Sequence, residues 1–160
     1  MDIMTRVSTE IAIFAETIAA MGHNIDTIPT RITPSQVNVL ADDEIFVFGS
    51  NIHGAHIGGA AWWAMEKFGA VWGVGEGLQG RSYAIPTMEG IHNIGPAVQR
   101  FTAFAREHPE LKFLVTAIGC GIAGYKADEI APMFLDSSRL PNVFLPQSFW
   151  DVIRALPAQG

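Results

Sequence analysis

AIGCGIAGYK, residues 117–126, packs three glycines into ten positions. It follows the apolar run Leu111, Lys112, Phe113, Leu114, Val115, Thr116 and leads into Ala127, Asp128, Glu129 and Ile130, which open a helical pattern. A strand, a glycine turn and a helix in that order leave backbone N–H groups unpaired at the start of the helix. Such groups hold an anion without any basic side chain.

The same grammar recurs towards the N-terminus. Residues 44–48 read as a short apolar strand ending in Gly49, Ser50 and Asn51, and 58–68, rich in Ala and Trp, as a helix opened by Gly58 and Gly59. Residues 71–80 carry four glycines and read as a loop or edge segment. A strand over 82–85 ends at Pro86 and Thr87. Asn93 caps a helix with Pro96 in its first turn, running to Glu107 ahead of His108 and Pro109. Further along, 111–116 reads as a strand, 128–135 as a helix, 142–145 as a strand and 147–156 as a last helix. Before all of these, Ile11, Phe14, Ile18 and Met21 make a helical stripe over 9–21, with Gly22 as its stop. Residues 26–31 read as a connector. Thr33 and Pro34 suit the cap and first position of a short helix through Leu40.

Strands separated by helices predict an α/β domain whose mainly parallel, mixed sheet carries helices on both faces, a three-layer α/β/α sandwich. A single domain is expected over 1–160, with an extra N-terminal helix within 1–25. Ligands of such sheets sit beyond the carboxyl ends of the strands. Gly49–Ser50–Asn51, Pro86–Thr87 and Gly119–Cys120–Gly121 each follow a strand, so all three belong on one rim. One cluster alone is equally well a tight turn. Three on one rim, two of them opening helices, predict a ligand site.

Composition narrows the ligand. The chain has 160 residues, 49% of them hydrophobic, and a formal net charge of −6, so it lacks the surplus of Lys and Arg that non-specific nucleic-acid binding needs. A nucleotide remains compatible, because backbone amides alone can bind phosphate. The one cysteine, Cys120, excludes an internal disulfide and fits a reducing, cytoplasmic setting. Asp2, Glu10 and Glu16 and the lack of a long apolar run argue against a signal peptide, and no stretch has the length of a membrane span, so no membrane partner is expected.

In FGSNIHGAHIGGAAWWAM, residues 48–65, Gly58 and Gly59 let a ligand approach the backbone where the first helical turn offers its free N–H groups. Asn51 has a donor and an acceptor that suit a ribose hydroxyl, or it bonds its own turn. The spacing is neither GxGxxG nor GxxxxGK[ST], which excludes both of those phosphate loops.

These motifs resemble a macro domain, the ADP-ribose-binding fold, and in particular a divergent macro-like group of bacteria and phages. Phe48–Gly49–Ser50–Asn51 stands where that family ends a strand with asparagine, Gly58–Gly59 at its glycine run and Phe68–Gly69 at the helix end. The family's second loop reads Ser-Thr-Gly-Ile-Tyr-Gly-Tyr-Pro. Here Gly119, Cys120, Gly121, Ile122, Ala123, Gly124, Tyr125 and Lys126 keep its Gly-Ile-x-Gly-Tyr core. The resemblance covers 44–134. It implies that residues 121–124 wrap the diphosphate of ADP-ribose with backbone N–H groups and that Gly58 and Gly59 close the other side; Ala60 and the residues Gly49, Ser50, Asn51, Pro86, Thr87, Gly119, Cys120 and Tyr125 are the further candidates for the surround. No cofactor or metal is expected.

Several positions depart from the family. Arg31 stands where many macro domains place an adenine-binding aspartate, with Asp26 as a loose substitute. Ala60–Ala61 replaces an acid found in hydrolytic members. Ala123 replaces an aromatic, leaving room beside the distal ribose. Cys120 is either a reactive thiol at a helix start or a structural cysteine. For catalysis, Asn51, His53 and His56 remain, the histidines being either general bases over the ligand or surface residues. Trp62 and Trp63, roughly 100° apart on a helix, offer one core and one outward ring. Glu76, Gln79 and Arg81 mark either a mobile lid or a plain connection, and Lys126 either a rim cation or a solvated lysine. Three function classes follow: a binding module for ADP-ribose or a related nucleotide, free or on a macromolecule; a hydrolase removing an ADP-ribosyl group or a terminal phosphate; and a non-catalytic scaffold for protein contact.

Overall fold

The computed structural model describes residues 30–157. The expected helix over 9–21, its stop at Gly22 and Asp26 lie outside the described residues.

Five strands form one mixed, mostly parallel sheet. They are β1 (Glu44–Ser50), β2 (Gly77–Gln79), β3 (Ser82–Pro86), β4 (Lys112–Val115) and β5 (Val143–Phe144), in the order β2-β3-β1-β4-β5. β1 pairs in parallel with both β3 and β4, and β4 with β5, while β2 runs antiparallel to β3. The antiparallel pair follows from its short connection, since Gly80 and Arg81 alone separate the two strands and a parallel return needs a crossover. Ile32 bridges Leu145 beyond β5.

Alternation along β1 divides the interior in two. Phe46 and Phe48 point to one face and pack with Ala61, Ala64 and Phe68 of α1 (Gly59–Lys67) and its C-cap. Ile45 and Val47 point to the other, against Ile94, Val98 and Phe101 of α2 (Ile91–Glu107) and against Ile130, Phe134 and Phe149. Those last three come from α3 (Ala127–Ile130), a 3-10 turn (Ala131–Phe134) and α5 (Gln147–Arg154), with α4 (Leu135–Ser138) between the turn and β5. Both faces of the sheet are therefore apolar, as parallel strands require.

Three expectations change. Residues 33–40 form no helix: Val37 packs on the α1 side of the sheet, and its carbonyl accepts the indole N–H of Trp63 at 2.7 Å. The single helix expected over 128–135 is broken. Pro132 lacks the N–H that an α-helix would use, and the chain tightens into the 3-10 turn there. α2 starts at Ile91 with Gly90 as its cap, so Asn93 lies inside it, its side chain donating to Glu89 O, and Pro96 falls in the second turn.

Candidate functional site

The carboxyl ends of β1, β3 and β4 share one rim, and a cleft of about 280 Å³ opens on it. Of the residues expected to surround a ligand, Gly49, Ser50, Asn51, Gly58, Gly59, Ala60, Thr87, Gly119, Gly121, Ile122 and Ala123 line it. Ala61, which with Ala60 replaces the acid of hydrolytic members, lines it as well, as do Ala55, Ile57, Met88 and Ala117, which were not expected there. Ala55, Ile57 and Met88 each sit beside a residue that was, so the signal there lay in the neighbours. Among the described residues, no Asp, Glu, Lys or Arg side chain lines the cleft.

Its polar groups are mainly backbone amides. α1 begins with Gly58 extended at the cap position and no side-chain cap. Trp62 N–H is the first to reach back to Gly58 O, at 3.4 Å, which leaves the amides of Gly59, Ala60 and Ala61 without helical acceptors. Across the cleft, Cys120 N–H bonds Ala117 O, Gly124 N–H bonds Gly121 O and Tyr125 N–H bonds Gly119 O. Between these turns, the N–H groups of Gly121, Ile122 and Ala123 have no backbone acceptor among the described residues. Ile122, 75% exposed, leans over the cleft, and a β-carbon built at Gly58 would lie 3.8 Å from its Cδ1.

Other expected site residues lie elsewhere. Pro86 faces a separate pocket with Ile52, Glu76, Glu89 and Arg100. Cys120 and Tyr125 pack against the α2 side of the core, and neither they nor Gly124 line the cleft. Burial first, and Glu129 second, push the Cys120 thiol above its ordinary pKa, which keeps it protonated and favours the structural reading. Asn51 does line the cleft, but its amide grips its own loop: Nδ2 donates to Ala55 O at 2.9 Å, and Oδ1 accepts from Ala55 N at 3.0 Å. Each atom keeps one further hydrogen-bonding position. Arg31 lies outside the cleft, donating to the carbonyls of Ser138, Leu140 and Val143 with its guanidinium over Trp150. Lys126 is exposed and outside the cleft. Trp62 is exposed, whereas Trp63 lies half-buried on the α1-side core, under Lys67.

The two histidines part company. His53 is exposed and lines no part of the cleft, which corrects the picture of a pair over the ligand. His56 is fully buried. Its Nδ1 lies 2.9 Å from Ser50 Oγ, and its Nε2 lies 2.9 Å from Val71 O and 3.2 Å from Gln79 Oε1. Phe48 meets its ring edge-on at a centroid distance of 5.3 Å.

The segment after α1 is tied down rather than free to act as a lid. Gln79 is buried and bonds Val71 N, Val74 O and His56. Arg81 donates to the carbonyls of Leu40 and Ala41, and Glu76 pairs with Arg100. Backbone also meets backbone here. A β-carbon at Gly75 would lie 2.1 Å from Asn51 O, and one at Gly54 would lie 2.2 Å from Val74 N. Only glycine permits that approach, so the 51–57 loop and the segment carrying Gln79 interlock.

Among the described residues no group of three or more His, Cys, Asp or Glu could hold a metal ion, and no helix is long and apolar enough to cross a membrane. The chain matches no protein-family model, no curated protein and no solved structure, so the chemistry of this cleft has to be read from its own residues.

Proposed function

We propose that the cleft binds a nucleoside diphosphate of the ADP-ribose type, the ligand implied by the resemblance of the two loops to macro domains. One observation carries this reading. Two sets of unpaired amides, at Gly59–Ala60–Ala61 and at Gly121–Ile122–Ala123, flank one cleft that no cationic side chain of the described residues lines. A diphosphate has enough acceptor oxygens to use both sets. The apolar wall of Ile57, Met88 and Ile122 suits the faces of a sugar or base. The exposure of those three at the rim also leaves room for an ADP-ribosyl group still attached to a macromolecule. A reducing, cytoplasmic setting fits both the ligand and the lone cysteine.

Isothermal titration with ADP-ribose, ADP, AMP and ribose 5-phosphate tests the proposal. ADP-ribose should bind, and the monophosphates should bind at least tenfold more weakly, a difference of about 1.4 kcal/mol. A flat titration with all four ligands would favour the scaffold reading instead.

A further inference from the structure

Ser50 and His56 have a geometry that nucleotide binding does not require. Gln79 fixes the protonation pattern. Its Nε2 donates to Val74 O, and its Oε1 accepts from Val71 N at 2.7 Å, so the amide can point only one way. His56 Nε2 therefore faces two acceptors, Gln79 Oε1 and Val71 O, and must carry the hydrogen. In the neutral ring Nδ1 is then a bare lone pair, and the hydroxyl of Ser50, 2.9 Å away, donates to it. A serine whose proton points at a histidine, itself oriented by a third group, is the arrangement of an activated nucleophile. Ser50 is only 5% exposed, yet it lines the cleft beside the unpaired amides.

We infer that Ser50 is a nucleophile for acyl transfer, with His56 as its base and Gln79 as a positioning residue, and that the substrate class is an ester whose acyl group enters the cleft. Ser50 Oγ forms a bond to the carbonyl carbon while its proton passes to His56 Nδ1. The carbonyl π pair moves onto oxygen, and backbone amides are the donors available for that oxyanion. Collapse breaks the bond to the alcohol oxygen, which leaves with the proton from Nδ1. Water then attacks the acyl-serine and gives its proton to Nδ1. The second collapse returns Ser50 Oγ, which recovers that proton, and the carboxylic acid departs. The sum is ester plus water to alcohol plus acid. Whenever Nδ1 holds a proton and the ring is cationic, Gln79 Oε1 and Val71 O face its Nε2–H.

The inference does not depend on the nucleotide reading, and its test needs no nucleotide. The probe is an alkyl fluorophosphonate, which serine displaces at phosphorus with loss of fluoride. Intact-mass and peptide spectra of the folded wild-type protein should show one adduct, on Ser50. Ser50→Ala and heat-denatured wild type should show none. Labelling should slow at least tenfold in Gln79→Leu and recover in Gln79→Glu, which keeps an acceptor for Nε2–H, with melting curves recorded for both. Should either Gln79 variant fail to fold, the wild-type adduct and its loss in Ser50→Ala still decide. No adduct on the folded wild type, or an adduct elsewhere that survives Ser50→Ala, overturns the inference. Titration of the same wild-type sample with ADP-ribose is read separately, so either proposal can fail alone.

Discussion

Gly121 has open space where a β-carbon would stand, and its backbone lies outside the left-handed region. Gly121→Val should therefore fold normally yet fill the cleft beside the unpaired amides. We expect ADP-ribose affinity to fall at least tenfold, about 1.4 kcal/mol, with the melting temperature little changed. Unchanged affinity by titration would move the site elsewhere. Gly124 is a poorer probe, because its φ of 81° strains any side chain and mixes loop damage with steric block. Asn51→Ala removes both bonds to Ala55, and we expect a loss of about 1–3 kcal/mol in stability by denaturant unfolding, on the scale of two modest hydrogen bonds. At this scale the glycines and Asn51 were legible, because only a few residue types tolerate such turns. The partnership of Ser50 with His56 was not. Five residues lie between them in sequence, and the ring that meets Ser50 is oriented by Gln79, delivered by an edge strand whose pairing no local pattern announces.

The strands were readable as elements because aromatic and β-branched residues crowd them between glycine and proline breaks, as in 44–50 and 82–86. Residues 33–40 misled because Thr33 and Pro34 form a good helix start, while Val37 and Val39 gain little from helix and Val37 gains burial on the sheet. The helix expected over 128–135 missed the break at Pro132, where the ring removes a helical N–H and the chain tightens into the 3-10 turn. β3 supplies a pH test. Burial first, and Glu76 second, push the Tyr83 phenol up to about 12, with Arg100 opposing them. An unfolded tyrosine ionises near pH 10, so above that pH the folded chain holds more protons than the unfolded one and stability falls as pH rises. The loss should run from about pH 10 to about pH 12 in urea unfolding and be shallower in Tyr83→Phe. Equal slopes in both proteins would show that Tyr83 does not set the alkaline limit.

For the whole molecule, a net charge of −6 surrounds a cleft that no charged side chain of the described residues lines. Long-range attraction cannot help an anionic ligand here, and salt weakens only the repulsion. ADP-ribose affinity should stay within about threefold, or rise slightly, from about 0.05 M to about 0.5 M salt. A steep fall would mean that lysines or arginines carry the contact. The sheet itself ends in two guarded margins. On one side β2 is three residues long and begins with glycine. On the other, residues 31–33 shield β5: Ile32 bridges Leu145, Leu145 N bonds Arg31 O, and Thr33 N bonds Leu145 O. A neighbouring chain therefore finds little ladder to extend on the sheet of the described residues, which offers amyloid-type stacking a poor template. If copies cling together in a crowded cell, they will do so through greasy side chains such as Trp72, Ile57 and Ile122, whose contacts a mild detergent can reverse.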